Sequence, residues 1–308
     1  MILIFLGFCL KWEKLKLFKN PKEFFNQIDR FVFHFALPVY IFNQIAGADI
    51  DAIFNINLVI YCVSGILISF FLLTFTVPLF IKEKSSSGAF IQGVYRANYA
   101  MLAVPLAGFL YGDLGAGTGA LMLPFAVTLF NLLAVVILTI NADEPGNPEN
   151  KNHISKMLPG IIKNPLIIAS IISLPFMIFK ISFPPAVQKS MDSIAGMSSP
   201  LALISLGAGI DLQVLKNKVK LSLVASLLRT VVWPVIFVVP AVLLGFRDAG
   251  LVAIFVLFAA PTAVTSYIMA KNMKSDYELA GQIVVLTTII CPATIFIGSL
   301  IMKSLGLI

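Results

Sequence analysis

Of the 308 residues, 59% are hydrophobic and only 12% charged, and the mean hydropathy is +0.96. A water-soluble globule of this length cannot hide so many apolar side chains, so the composition excludes a soluble fold and points to lipid as the solvent. The net charge of +7 lies mostly in short loops between apolar segments, so it reads as membrane topology and not as a nucleic-acid-binding surface.

A helix rises about 1.5 Å per residue, so a bilayer core needs roughly 20 apolar residues per crossing. Apolar runs punctuated by charge, Gly and Pro predict helices over 1–10, 31–47, 56–81, 90–111, 117–140, 158–180, 186–210, 219–245, 250–270 and 281–305. The fold class expected is an all-α polytopic membrane protein of about ten spans. The first run is too short to cross alone, and with no basic segment before it and no small-residue cleavage site after it, it does not read as a signal peptide.

Loop charge sets the orientation. Lys11, Lys14, Lys16, Lys19, Lys22 and Arg30 precede the second run, and Lys82 and Lys84 follow the third. Lys151, Lys156 and Lys163 flank the middle of the chain, Lys216, Lys218 and Lys220 precede the eighth run, and Lys271 and Lys274 follow the ninth. The opposite side carries only Lys180, Lys189, Arg247 and Lys303. The positive-inside rule therefore places both termini outside the cytoplasmic (inner) membrane. The polar stretch 141–157 reads as a cytosolic linker between a first five-helix unit (1–140) and a second (158–308). An odd number of helices per unit forces the second to enter from the opposite side, giving two inverted repeats.

Prolines mark matching places in the two units: Pro38 and Pro200 in the second helix of each, Pro105 and Pro261 in the fourth. Proline removes a backbone donor and crowds the preceding turn, so all four are candidate helix breaks, and broken helices point to a transporter's binding site. At such a break the exposed N–H groups of the next half-helix favour an anion. Asn98 supplies an uncharged amide beside the first break. Arg96, about six residues into its helix, either attracts an anion or snorkels to the surface. Arg229, deeper in its helix, binds either an anion or carbonyls freed at a break. Thr262, Thr265, Tyr267, Asn131, Thr287 and Thr288 are placed to line a cavity or to bond between helices.

The chemistry of an enzyme or a metal site has little to stand on. Cys9, Cys62 and Cys291 lie far apart in apolar runs, and His34 and His153 form no recognised ligand spacing with them. No catalytic site and no cofactor is expected. Asp29, Asp192, Asp211 and Glu278 sit near helix ends, and the lack of a deep carboxylate favours uniport, or sodium held by neutral oxygens, over a glutamate relay. Na+ or H+ stays open as coupling ion, with His34 and Asp29 as proton carriers. A membrane sensor is the reading from another class, and the short loops leave no room for a signalling domain.

The order of these motifs resembles the auxin efflux carrier family, whose bacterial members include malate and malonate permeases. The resemblance runs through Asp29–Pro38, Asn98 with Val104-Pro105-Leu106 and Tyr111-Gly112, Asn164-Pro165-Leu166, Ser199–Ala208, Arg229 with Pro234, and Ala260–Val264 leading to Asp276. It implies a fold related to sodium/bile-acid symporters. Helices 1, 2, 6 and 7 would form a scaffold, the surface of a homodimer, and helices 3–5 and 8–10 a mobile core in which helices 4 and 9 are broken and cross. A small organic anion, a carboxylate such as malate, malonate or an auxin-like acid, would bind at that crossing, with Asn98 as a contact. A sodium-coupled symporter of bile-acid type is the alternative.

Overall fold

The computed structural model describes residues 2–11, 20–47, 55–142, 162–209 and 212–308. Most of the 141–157 linker, with His153, Lys151 and Lys156, lies outside them, as do Asp211, Lys14, Lys16 and Lys19. Among the described residues the regular secondary structure is all helix, apart from one isolated bridge.

Helix α1 is Ile2–Leu10. Helix α2, Pro21–Phe31, runs through a wide π turn, Val32–Ala36, into α3, Leu37–Ala46. The second expected helix therefore begins about ten residues early: Asn20 caps it by accepting from the Glu23 N–H, Pro21 fits the first turn, and Phe25 and Asp29 are buried. Next come α4, Ile56–Phe80, and α5, Lys84–Tyr95. The expected loop 82–89 is thus mostly helix, with Ser85, Ser86 and Ser87 buried.

Helix α6, Val104–Leu121, follows a second π turn at Tyr99–Ala103, and α7 is Leu123–Ile140. Helix α6 is not straight. Tyr111 (φ −138°, ψ 27°) and Gly112 (φ 61°, ψ −153°) leave helical geometry, and the Tyr99 hydroxyl donates to the Gly119 carbonyl at 3.0 Å. Twenty residues of straight helix would hold those groups about 30 Å apart. The chain therefore folds back at Tyr111-Gly112, and the returning arm continues into α7, close to the expected division between 90–111 and 117–140.

The remaining helices are α8 (Pro165–Ile178), α9 (Pro185–Gly209), α10 (Leu212–Leu227), a third π turn (Leu228–Val232), α11 (Trp233–Leu243), α12 (Asp248–Ala259), α13 (Thr265–Asn272) and α14 (Tyr277–Ser304). Each π turn ends two residues before a proline: Pro38, Pro105 and Pro234. A proline lacks the N–H of a normal turn and pushes on the carbonyl four residues back, and widening that turn relieves both problems without ending the helix. Three of the four expected breaks are corrected accordingly. Pro38 and Pro105 sit just beyond widened turns in helices that carry on, and Pro200 lies inside unbroken α9.

Five described segments are long and apolar enough to cross a membrane by length and composition, one of them the folded-back Tyr99–Leu121. Every residue from Ser85 to Tyr95 in α5 and from Leu251 to Ala259 in α12 is buried. A helix buried all round belongs at the centre of a bundle. Large apolar side chains lie outward elsewhere, among them Phe71 and Phe75 on α4, Val235 and Val239 on α11, and Phe296 and Leu300 on α14. Such a surface suits lipid.

Candidate functional site

The two central helices stop side by side. Helix α5 ends at Tyr95, and Arg96 is extended (φ −89°, ψ 112°). Helix α12 ends at Ala259, and Ala260 is extended (φ −58°, ψ 147°), as expected of a residue before proline. The unwound strands pair antiparallel through Ala97 and Thr262, and the Asn98 N–H donates to the Pro261 carbonyl at 2.8 Å. Of the four prolines singled out, only Pro261 stands in an interruption. The other interruption, Arg96–Asn98, precedes Pro105 by a full π turn.

The carbonyls freed at the ends of α5 and α12 are met by side chains. Arg229, fully buried, donates from Nε to Ala260 (2.8 Å), from Nη2 to Leu257 (2.7 Å) and from Nη1 to Tyr95 and Val94 (3.2 and 3.4 Å). The Thr262 hydroxyl donates to the Gly93 carbonyl at 2.6 Å, and its N–H to the Thr287 hydroxyl at 3.1 Å. A cation thus sits where two helix C-termini concentrate negative partial charge. Arg229 and Thr262 hold the crossing together and do not line the cavity beside it.

That cavity, about 40 Å³, lies at the other ends of the breaks. It has room for a few waters. Its wall includes Asn98–Met101, which open the π turn ahead of α6, and Ala263–Thr265, which lead into α13. The first N–H groups of a helix have no intrahelical acceptor, so two positive ends meet one space. Arg96, 4% exposed, also lines it. Its guanidinium donates to Asn131 Oδ1 (2.7 Å) and the Ser266 hydroxyl (3.4 Å) and lies against Met269 Sδ. Arg96 is therefore an interior residue and does not snorkel, and no described carboxylate pairs with it. The Asn98 amide faces the cavity and makes no side-chain hydrogen bond to the described residues.

Other expected residues fall elsewhere. Tyr267 is turned toward α9, its hydroxyl 3.4 Å from the Ser205 carbonyl. Thr287 and Thr288 donate within α14, to Ile283 and Val284, and Pro105 is absent from the cavity wall. The wall gains Tyr40 from α3 and Ser199 from α9. Both stand within two residues of a singled-out proline, Pro38 and Pro200, the one local signal that could have found them.

A helical bundle whose two innermost helices are interrupted and paired, with a charged and amide-lined cavity at the interruption, defines a multi-pass membrane transport protein. The comparison with known families agrees: residues 1–297 match the family described as "Membrane transport protein", to which auxin efflux carriers belong, and the chain is a member of that family. Among curated proteins it is similar to one of Rhizobium meliloti (strain 1021) named "Putative malonate transporter", 23% identical over 301 residues that cover 95% of this chain and 90% of the relative.

Proposed function

We propose that the chain is a secondary transporter that carries small organic anions, dicarboxylates such as malonate or malate foremost, across the cytoplasmic membrane by alternating access. One observation carries this reading. The crossing separates charge, with the Arg229 cation on the helix C-termini and the helix N-termini, Arg96 and two amides left facing the cavity. A carboxylate could take N–H donors from both half-helices and from Asn98, with Arg96 supplying long-range attraction. Asn98 and Asn131 contribute donors without net charge, which keeps binding weak enough for release. The name of the Rhizobium relative points to the same substrate class.

In this reading the fold-back at Tyr111-Gly112 separates the fourth crossing (α5 and 99–110) from the fifth (113–140), and α12 with α13 forms the ninth. Two inverted five-helix units, 1–140 and 158–308, then place both termini outside. Helices α1, α2–α3, α8 and α9 serve as the scaffold, and as the face of a homodimer, while the others move as the transport core. Substrate rides beside the crossing as the core shifts.

The deciding experiment is uptake of labelled malonate, malate and indole-3-acetate into proteoliposomes, with and without sodium and proton gradients. Saturable uptake whose half-saturation Asn98→Ala weakens about tenfold or more supports the site. If folded wild-type protein carries none of the three, the substrate class is wrong.

A further inference from the structure

We propose that Asp29 is a proton-binding site, and that its protonation releases an ionic latch to Lys271 which holds the core against the scaffold. The inference rests on the proposed division into scaffold and moving core. The described side-chain hydrogen bonds between those two groups are unevenly placed. Four come from one short stretch around the end of α13. Lys271 donates to Asp29 Oδ2 at 2.5 Å, Asn272 to the Asp29 carbonyl at 3.4 Å and Tyr267 to the Ser205 carbonyl at 3.4 Å, while Asn164 contacts Met273 Sδ at 3.8 Å. The fifth, Ser199 to Met101, lies at the cavity itself. Beyond the cavity no described side-chain hydrogen bond joins the two groups. The polar clasp is therefore at one end, the end that loop charge assigns to the cytosol.

Within that clasp the charged pair is unequal. The Asp29 side chain is 2% exposed and that of Lys271 20%. Among the described residues neither Asp29 Oδ1 nor the Ser205 hydroxyl completes a hydrogen bond of normal geometry, though Ser205 stands near enough for its O–H to favour the charged carboxylate. The other titratable groups around the clasp are Tyr267 on α13, Tyr277 and Glu278 at the start of α14, and Arg30 and His34 on the helix of Asp29 itself. Lys271 is the cation in contact with the carboxylate, and α9 contributes Ser205. Pulling a buried carboxylate away from its ammonium leaves an uncompensated charge, whereas a neutral carboxyl can be left behind while the partly exposed Lys271 finds water. The step adds one proton from solution to the Asp29 carboxylate and turns an ion pair into a weaker contact between the Lys271 ammonium and a neutral carboxyl. No bond of the chain is broken. Low pH opens the latch and high pH closes it.

Hydrogen exchange of peptides covering Pro21–Phe31 and Thr265–Asn272 tests this without any substrate, once rates are corrected for intrinsic pH dependence. Wild-type protection is expected to fall by about tenfold or more between mildly alkaline and mildly acidic pH. Asp29→Asn, which carries no charge, should be equally unprotected at both, and Asp29→Glu should keep the pH response with a shifted midpoint. Protection in wild type that does not change with pH, or a pH response that persists in a folded Asp29→Asn protein, overturns the proposal. If Asp29→Asn does not fold, the wild-type and Asp29→Glu profiles decide alone. In proteoliposomes an imposed proton gradient should stimulate anion uptake by wild type and not by Asp29→Asn. If wild type moves no anion while its exchange still responds to pH, the transport reading falls and the latch stands.

Discussion

Arg229 Nε lies 2.8 Å from the Ala260 carbonyl, and the same guanidinium reaches Tyr95 on the other interrupted helix. One side chain therefore closes two helix ends that proline and loss of helical geometry have opened. A lysine ammonium is a point donor and cannot span both ends as the planar fork does. Arg229→Lys should lose about 1–3 kcal/mol for each buried carbonyl left without a donor, and Arg229→Met should fail to accumulate as folded protein. Thermal unfolding in detergent, followed by size-exclusion fluorescence, checks the order wild type, Lys, Met. Equal melting of all three would mean that water replaces the guanidinium.

Asn98 and Asn131 both face the cavity, yet their removal should be felt differently. The Asn98 side chain bonds nothing described, so Asn98→Ala should leave stability within about 0.5 kcal/mol of wild type. The loss of one hydrogen bond to a charged ligand, about 1.5–3 kcal/mol, should weaken half-saturation roughly tenfold to a hundredfold. Asn131 Oδ1 accepts from Arg96 at 2.7 Å, so Asn131→Ala leaves a buried guanidinium donor unmet and should lower both melting temperature and uptake. A melting drop for Asn98→Ala as large as for Asn131→Ala would mean that Asn98 is structural.

The helices and the Pro261 interruption were legible because their causes are local: apolar length, punctuation by charge, and a proline that leaves its predecessor extended, whereas the caps Asn20 and Asn164 went unread. The interruption at Arg96-Ala97-Asn98 was not. It contains neither glycine nor proline, and the groups that satisfy its neighbourhood, Arg229, Thr262 and Pro261, stand more than 130 residues away in the chain. Proline was a fair guide to altered helix geometry but a poor one to a break, since Pro38, Pro105 and Pro234 only widen the preceding turn. Arg229 could not be assigned to carbonyl or anion from its position, because that choice depends on where two other helices end.

The fold-back of α6 rests on Gly112, whose φ of 61° with ψ of −153° is a region open almost only to glycine. Space is no obstacle there, since a Cβ at Gly112 would meet nothing within 4 Å. Gly112→Ala should therefore cost about 1–3 kcal/mol by backbone strain alone. Gly115 is the opposite case: its Cβ would lie 2.2 Å from the Ala107 carbonyl on the facing arm, so Gly115→Ala forces the arms apart. The Tyr99–Gly119 hydrogen bond should survive Gly112→Ala and be lost in Gly115→Ala. Chemical denaturation, with a cysteine cross-link between the Gly108 and Ala116 positions, whose Cβ atoms would lie 3.2 Å apart, as a control for the fold-back, separates the two. Failure of that cross-link in an otherwise folded protein would argue for a straight helix.

Helices α1 and α9 touch backbone to backbone at two reciprocal points. A Cβ on Gly7 would fall 1.9 Å from the Ile204 carbonyl, and one on Gly207 would fall 1.9 Å from that of Ile4. Neither contact can be relieved by rotating a side chain, so each alanine must move α1 outward, at about 1–3 kcal/mol. Because one outward movement relieves both clashes, Gly7→Ala and Gly207→Ala should not add: the double variant should melt little below the worse single one. Neither residue lines the cavity, so the half-saturation constant for uptake should hold while the yield of folded carrier falls. Full additivity in melting would show that α1 does not move as a unit, and a changed half-saturation constant would show that its seat on α9 shapes the binding site.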